Sequence, residues 1–108
     1  LMLYDGAIKF MNIAKYNIEN DETERAHESL IRAQDIIIEL KSTLNMDYEI
    51  STDLEKLYDF IMSKLMDANI KKEKEPIDEA LEILTGLRDT WKEAMKDVKK
   101  RVYQNRQV

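Results

Sequence analysis

Ala26-His27-Glu28-Ser29-Leu30-Ile31-Arg32-Ala33-Gln34-Asp35-Ile36-Ile37-Ile38-Glu39-Leu40-Lys41-Ser42-Thr43-Leu44 is the stretch that decides the fold. Within it Ala26, Leu30, Ala33, Ile37, Leu40 and Leu44 recur at alternating spacings of four and three residues. That rhythm gathers them on one side of a 3.6-residue helix and gives the side a single apolar seam. Such a seam is hidden from water only by other helices, so the segment predicts a helix over about residues 22–44 and helical neighbours around it. Glu22 and Glu24 open it with carboxylates at the positive end of the helix dipole.

Upstream, Leu1, Tyr4, Ile8, Met11 and Ile18, with Ala7 and Ala14 between them, predict a helix over about residues 1–19. Its phase runs straight through Asp5-Gly6, so Gly6 is read as a place where another backbone comes close rather than as a turn. No capping Ser, Thr, Asp or Asn precedes this helix, and a further N-terminal segment is expected ahead of Leu1. Downstream, Thr52 and Glu55 make a candidate capping box for a helix over about residues 52–72, whose seam is Leu54, Leu57, Tyr58, Ile61, Leu65 and Ala68. The charged run Lys71-Lys72-Glu73-Lys74-Glu75 ends it. Pro76 suits a first helical turn and opens the last helix, over about residues 76–104. Ile77, Leu81, Leu84, Trp91, Met95, Val98 and Val102 form its seam, with Trp91 assigned to the core. Four amphipathic helices with short connections pack most simply as an antiparallel up-down-up-down bundle. The expected fold is all-α, one domain over residues 1–108 with a long C-terminal helix.

Composition agrees with this and removes several function classes. Two glycines and one proline in 108 residues leave little punctuation for strands, and without cysteine there is no disulfide framework, thiolate metal site or cysteine nucleophile. A formal charge of −5 is a poor basis for binding nucleic acid or anionic lipid. No apolar run is long enough to span a bilayer and no signal peptide is visible, so a soluble protein is expected, with neither nucleic acid nor membrane insertion among its partners.

Residues able to carry chemistry are few. Glu24 and His27 have the i, i+3 spacing used by di-iron carboxylate bundles, but that signature needs two such pairs and His27 is the sole histidine. Glu22 with Glu24, and Asp78 with Glu79, lie in first helical turns, where the dipole already accounts for them. No glycine-rich phosphate loop, nucleophile elbow or HExxH motif is present. No catalytic residue, metal ligand or cofactor is therefore assigned. Between Lys92 and Arg106 six basic side chains face two acidic ones, a pattern expected of a helix C-terminus projecting into water.

The informative feature is a second apolar set that a four-helix core does not need. Ile31 and Ile38, with Gln34 and Asp35 between them, lie more than about 100° from the seam of their helix. Met62, Met66 and Ile70 form a second row on the third helix, and Met2, Leu3, Phe10 and Ile13 one on the first. Wide apolar faces and single exposed apolar residues are ordinary in bundles, yet three helices with such rows point to grooves that receive apolar helices from elsewhere.

Leu3-Tyr4-Asp5-Gly6-Ala7-Ile8, Ala33-Gln34-Asp35-Ile36-Ile37 with Leu40 and Leu44, Leu57-Tyr58-Asp59, and Leu87-Arg88-Asp89-Thr90-Trp91 together resemble the FliS family of flagellar export chaperones, in order and over essentially the whole chain. The resemblance implies an antiparallel bundle in the bacterial cytoplasm, without enzymatic activity. Its client would be the disordered C-terminal segment of flagellin, kept from premature polymerisation and delivered to the flagellar type III export apparatus, with an export-gate protein as a second partner. It also implies a segment ahead of the Leu-Tyr-Asp-Gly motif that this sequence lacks. On this reading Ile31, Gln34, Asp35, Ile38, Met62, Met66 and Ile70 line the client groove, with further contacts at Leu3, Phe10 and Ile13. The competing expectation is a generic helical adaptor or self-associating bundle without flagellin specificity.

Overall fold

The structure, a computed structural model, describes residues 1–106. It contains four helices, α1 (Met2–Glu19), α2 (Thr23–Ser42), α3 (Glu49–Lys71) and α4 (Glu75–Arg106), and no strand among the described residues. α1 packs on α2 and α4, and α3 packs on the same two helices, so the elements form a square of neighbours. Polar contacts give the directions. Asn17 near the end of α1 meets Ser29 near the start of α2, and Asp5 at the start of α1 meets Arg88 far along α4. Lys64 late in α3 meets Glu79 early in α4. Each adjacent pair is antiparallel, as the fold class expected from the four amphipathic stripes requires. None of the helices is long and apolar enough to cross a membrane.

The core is the set of seams. Ala7, Met11, Ala14, Leu30, Ala33, Ile37, Ile61, Leu65, Ala68, Ile77 and Leu84 are fully buried and form one cluster. Burial of each large member contributes about 1.5–3 kcal/mol before the entropy of ordering is counted. Small residues let α1 and α2 approach closely. A Cβ added at Gly6 would stand 3.3 Å from Ile36 Cδ1, so the glycine admits an α2 side chain, not the neighbouring backbone expected from the sequence. Between the same helices Asn17 Nδ2 donates to Ser29 Oγ at 3.2 Å, and that hydroxyl donates to the Arg25 carbonyl at 2.8 Å, so the buried polar pair is satisfied.

Local signals and tertiary packing disagree at α3. The helix begins at Glu49, three residues before Thr52, and its N-cap, Tyr48, makes no side-chain cap hydrogen bond. Ser51 explains the shift, because it continues the Leu54, Tyr58, Ile61 seam backwards and is itself buried, which extends the helix a turn past the candidate capping box. The preceding connection is held instead by the Asn45 side chain, which accepts from the Asp47 amide at 3.0 Å. The α1–α2 and α3–α4 turns each use one left-handed residue, Asp21 (φ 56°) and Lys72 (φ 53°). Lys72 is compensated by its ammonium, which donates to the carbonyl and side-chain oxygens of Asn69.

α4 outruns its neighbours. Its 32 residues compare with 18, 20 and 23 in the other helices, and among the described residues nothing buries it past Trp91. Trp91, expected in the core, is only half-buried and closes the end of the bundle, while Met95, Val98 and Val102, expected on the buried seam, are exposed. The stripe continues past the point where the other helices stop. At that end Trp91 Nε1 donates to the Tyr4 hydroxyl at 3.0 Å, and Tyr4 in turn shares a hydrogen bond with the buried Tyr58 hydroxyl. This polar chain ties α4, α1 and α3 together across the core.

Two expectations about stability follow. Gly86 has nothing within 4 Å of an added Cβ, so Gly86→Ala should gain about 0.5–1 kcal/mol of helix propensity in a denaturant titration. Gly6→Ala should gain less, because Ile36 must yield; equal gains at the two sites would contradict the packing described. Burial, reinforced by the bond to Tyr4, pushes the Tyr58 phenol well above its ordinary value of 10.0. The folded chain therefore holds this proton more tightly than the unfolded one, and the resulting stability is complete below about pH 10 and lost as pH rises further. Unfolding free energies measured from about pH 8 to about pH 11 should fall more steeply in the parent protein than in Tyr58→Phe.

Candidate functional site

The α2–α3 face is assembled by register. His27, Ile31, Gln34, Ile38 and Lys41 follow one another at helical spacing along the side of α2 turned towards α3. Asn69 Nδ2 donates to His27 Nδ1 at 2.9 Å at one end, and Lys41 Nζ donates to Asp59 Oδ1 at 2.7 Å at the other. The Asp59 carboxylate holds the exposed Lys41 ammonium above the usual lysine range, mainly through that hydrogen bond. Antiparallel pairing between these two clips sets Ile31, Gln34 and Ile38 of α2 against the stretch of α3 that carries Met62 and Met66.

Exposure sorts the residues singled out from the sequence. Ile38 is 54%, Met66 51% and Ile70 81% exposed, and Ile31 lies just on the exposed side. Asp35 is exposed, Gln34 half-buried, and Met62 half-buried with its side chain packed on the core. Met62, Met66 and Ile70 line one shallow furrow along α3, with Asp59 and Asp67 at its margin. The α1 row behaves differently. Leu3 and Phe10 are half-buried against the subunit's own core, and the Arg32 guanidinium and Lys9 ammonium stand 5.5 and 5.8 Å from the Phe10 ring centre. Ile13 is half-buried, and Met2, beside them, is 88% exposed.

Two further apolar surfaces were not singled out from the sequence. Leu57, Phe60 and Ile83 line a furrow between α3 and α4, where the Lys64 ammonium stands 5.3 Å from the Phe60 ring centre and is bonded to Glu79. Phe60 lies i+3 from Leu57, so the two begin a second row on the side of α3 opposite Met62 and Met66. At the open end of the bundle Leu1, Leu44, Ile50, Leu54 and Met95 surround the hydroxyls of Tyr4 and Tyr58, which face Trp91. Ile50 was hidden by the capping-box reading, which put it in a loop.

The arrangement offers open surface on which apolar helices can lie. The faces are shallow and largely apolar, and Asp59, Asp67 and Lys64 beside them are paired with Lys41, Lys71 and Glu79. His27 has its partner in Asn69, and Glu24 is exposed. Among the described residues no three His, Asp or Glu side chains converge as a metal site would need.

The model of the family described as flagellar protein FliS matches residues 1–98. The flagellar secretion chaperone FliS of Bacillus subtilis is 43% identical over 100 residues, 93% of this chain and 75% of that protein. The flagellar secretion chaperones FliS of Vibrio cholerae and Salmonella typhimurium are 33% and 32% identical, across 83% and 85% of this chain and 68% and 70% of theirs. An all-α bundle with unsealed apolar furrows, matched by this family model and by relatives at this identity, belongs to the FliS family of flagellar secretion chaperones.

Proposed function

We propose that this protein is a cytoplasmic chaperone of flagellin that binds the disordered C-terminal segment of its client, prevents premature polymerisation and aids delivery to the flagellar type III export apparatus. The observation that carries this reading is the set of apolar side chains left open along α2 and α3, above all Ile38, Met66 and Ile70. A flagellin terminus that is disordered alone and helical in the filament buries an apolar stripe there. The chaperone offers a substitute for that burial, with Ile31, Ile38, Met62, Met66 and Ile70 receiving the stripe and Gln34 and Asp35 flanking it. Leu3, Phe10 and Ile13 add contacts where the client crosses α1. Ordering the client costs several kcal/mol of the gross interaction, which keeps affinity within reach of release at an export-gate protein. Methionine suits such a surface, since its unbranched, polarisable side chain adapts to the helix it meets. No catalytic step and no cofactor enter.

Titration of a flagellin C-terminal peptide tests this. The peptide should gain helical circular dichroism on binding, and Ile38→Asp with Met66→Asp should weaken it by about 100-fold or more, because each new carboxylate would be buried unpaired under the client. Both positions are exposed in the free protein, so the double variant should keep its fold. Unchanged affinity in the folded variant would remove the groove as assigned.

A further inference from the structure

The chain has six methionines and no cysteine, so its sulfur chemistry is that of thioethers alone. An oxidant must reach the sulfur lone pair, and the fold sorts the six by access. Met11 is fully buried in the core, and Met62 is half-buried and packed against it. Met2, Met46, Met66 and Met95 are exposed, at 88%, 51%, 51% and 49%. Three of these four lie away from the α2–α3 face. Met2 opens α1, Met46 belongs to the connection between α2 and α3, and Met95 borders the open end of the bundle. Met66 lies within the α3 furrow, with Met62 one turn before it and Ile70 one turn after. It is the exposed sulfur that an apolar helix lying in that furrow must cover.

We propose that Met66 is a reversible sulfoxidation site that switches the α2–α3 furrow off, an inference that rests on this furrow receiving the client. The oxidant is a peroxide. The Met66 sulfur attacks one peroxide oxygen, the O–O bond breaks as the S–O bond forms, and with hydrogen peroxide the second oxygen leaves as water; sulfur gives up two electrons and the peroxide takes them. A thiol-dependent sulfoxide reductase reverses the step, releasing the oxygen as water while two thiols join as a disulfide. The sulfoxide puts a strong acceptor oxygen into an apolar surface. Water satisfies it in the open furrow, but an apolar helix strips that water away. Little in the furrow replaces it, because Asp59 and Asp67 are acceptors bonded to Lys41 and Lys71. Lys64 is bonded to Glu79, and Ser63 has only a neutral hydroxyl to offer. Met66 is not part of the buried core cluster, so the added oxygen changes the surface without opening the interior. Client capture then depends on the peroxide load around the protein.

The test treats the intact chain with hydrogen peroxide and destroys the excess with catalase before any peptide is added. Peptide mass mapping should find one added oxygen on Met66, as on Met2, Met46 and Met95, and none on Met11, with helical circular dichroism unchanged. A flagellin C-terminal peptide should then bind the treated protein about 10-fold or more weakly than the untreated one, because the sulfoxide oxygen is buried unsatisfied. A methionine sulfoxide reductase with a thiol should restore the binding. Met66→Leu should bind equally before and after treatment, whatever its own affinity, while Met95→Leu should lose affinity on treatment as the parent does. A Met66 still reduced when Met46 and Met95 have reacted, equal binding by the treated and untreated parent, or a full loss in treated Met66→Leu would each overturn the proposal. Absence of binding by the untreated protein would overturn the client reading and the switch with it, so failure of the switch alone is recognised by intact binding before treatment.

Discussion

A helix in a four-helix bundle can hide only an arc of its surface, about the width of the stripe that faces the common axis. The whole structure follows from how far this chain exceeds that limit. α1 stays close to it, with Leu3 and Phe10 drawn against the core and Phe10 lying beneath Arg32 and Lys9. α2 and α3 exceed it in width, because Ile38, Met66 and Ile70 lie too far around their helices to reach the axis. α4 exceeds it in length, since its stripe continues after the neighbouring helices have ended.

These surpluses are tolerated because the core beneath them is closed on its own account. Ile37, Ile61, Leu65 and Leu84 are inaccessible to solvent, the buried Asn17–Ser29 pair is satisfied, and the Tyr58–Tyr4–Trp91 chain fastens the end where α4 leaves the bundle. Ile38, Met66 and Ile70 are exposed and lie outside that core, so they can be substituted without opening it. Paired ions such as Lys41–Asp59 and Lys64–Glu79 sit at the margins, where exposed pairs add little stability but keep the furrows from collapsing into continuous apolar patches.

Much of this was legible in the residues. The four-three rhythm of Ala26 to Leu44 locates a seam that is buried along α2, and the same rhythm gave the fold class. The rows at Ile31, Ile38, Met62, Met66 and Ile70 were visible as apolar positions out of phase with those seams. Periodicity reports which side of a helix is apolar and is silent on how far its neighbours extend. For that reason Met95, Val98 and Val102 read as core although they are exposed. A capping box is likewise a local signal, and at Thr52 it lost to the burial of Ser51. Phe60 escaped because its partner across the furrow, Ile83, lies on another helix. The proposed client rests on the family resemblance, since apolar furrows state the chemistry of what they bind and not its name.

The most direct measurement is methyl-resolved NMR of the protein titrated with a flagellin C-terminal peptide. The methyl signals of Ile31, Ile38, Ile70, Met62 and Met66 should move together, while those of the sealed residues Ile37 and Ile61 change little. A spectrum in which the α2–α3 methyls stay in place while the peptide binds, or in which no signal moves, would contradict the account.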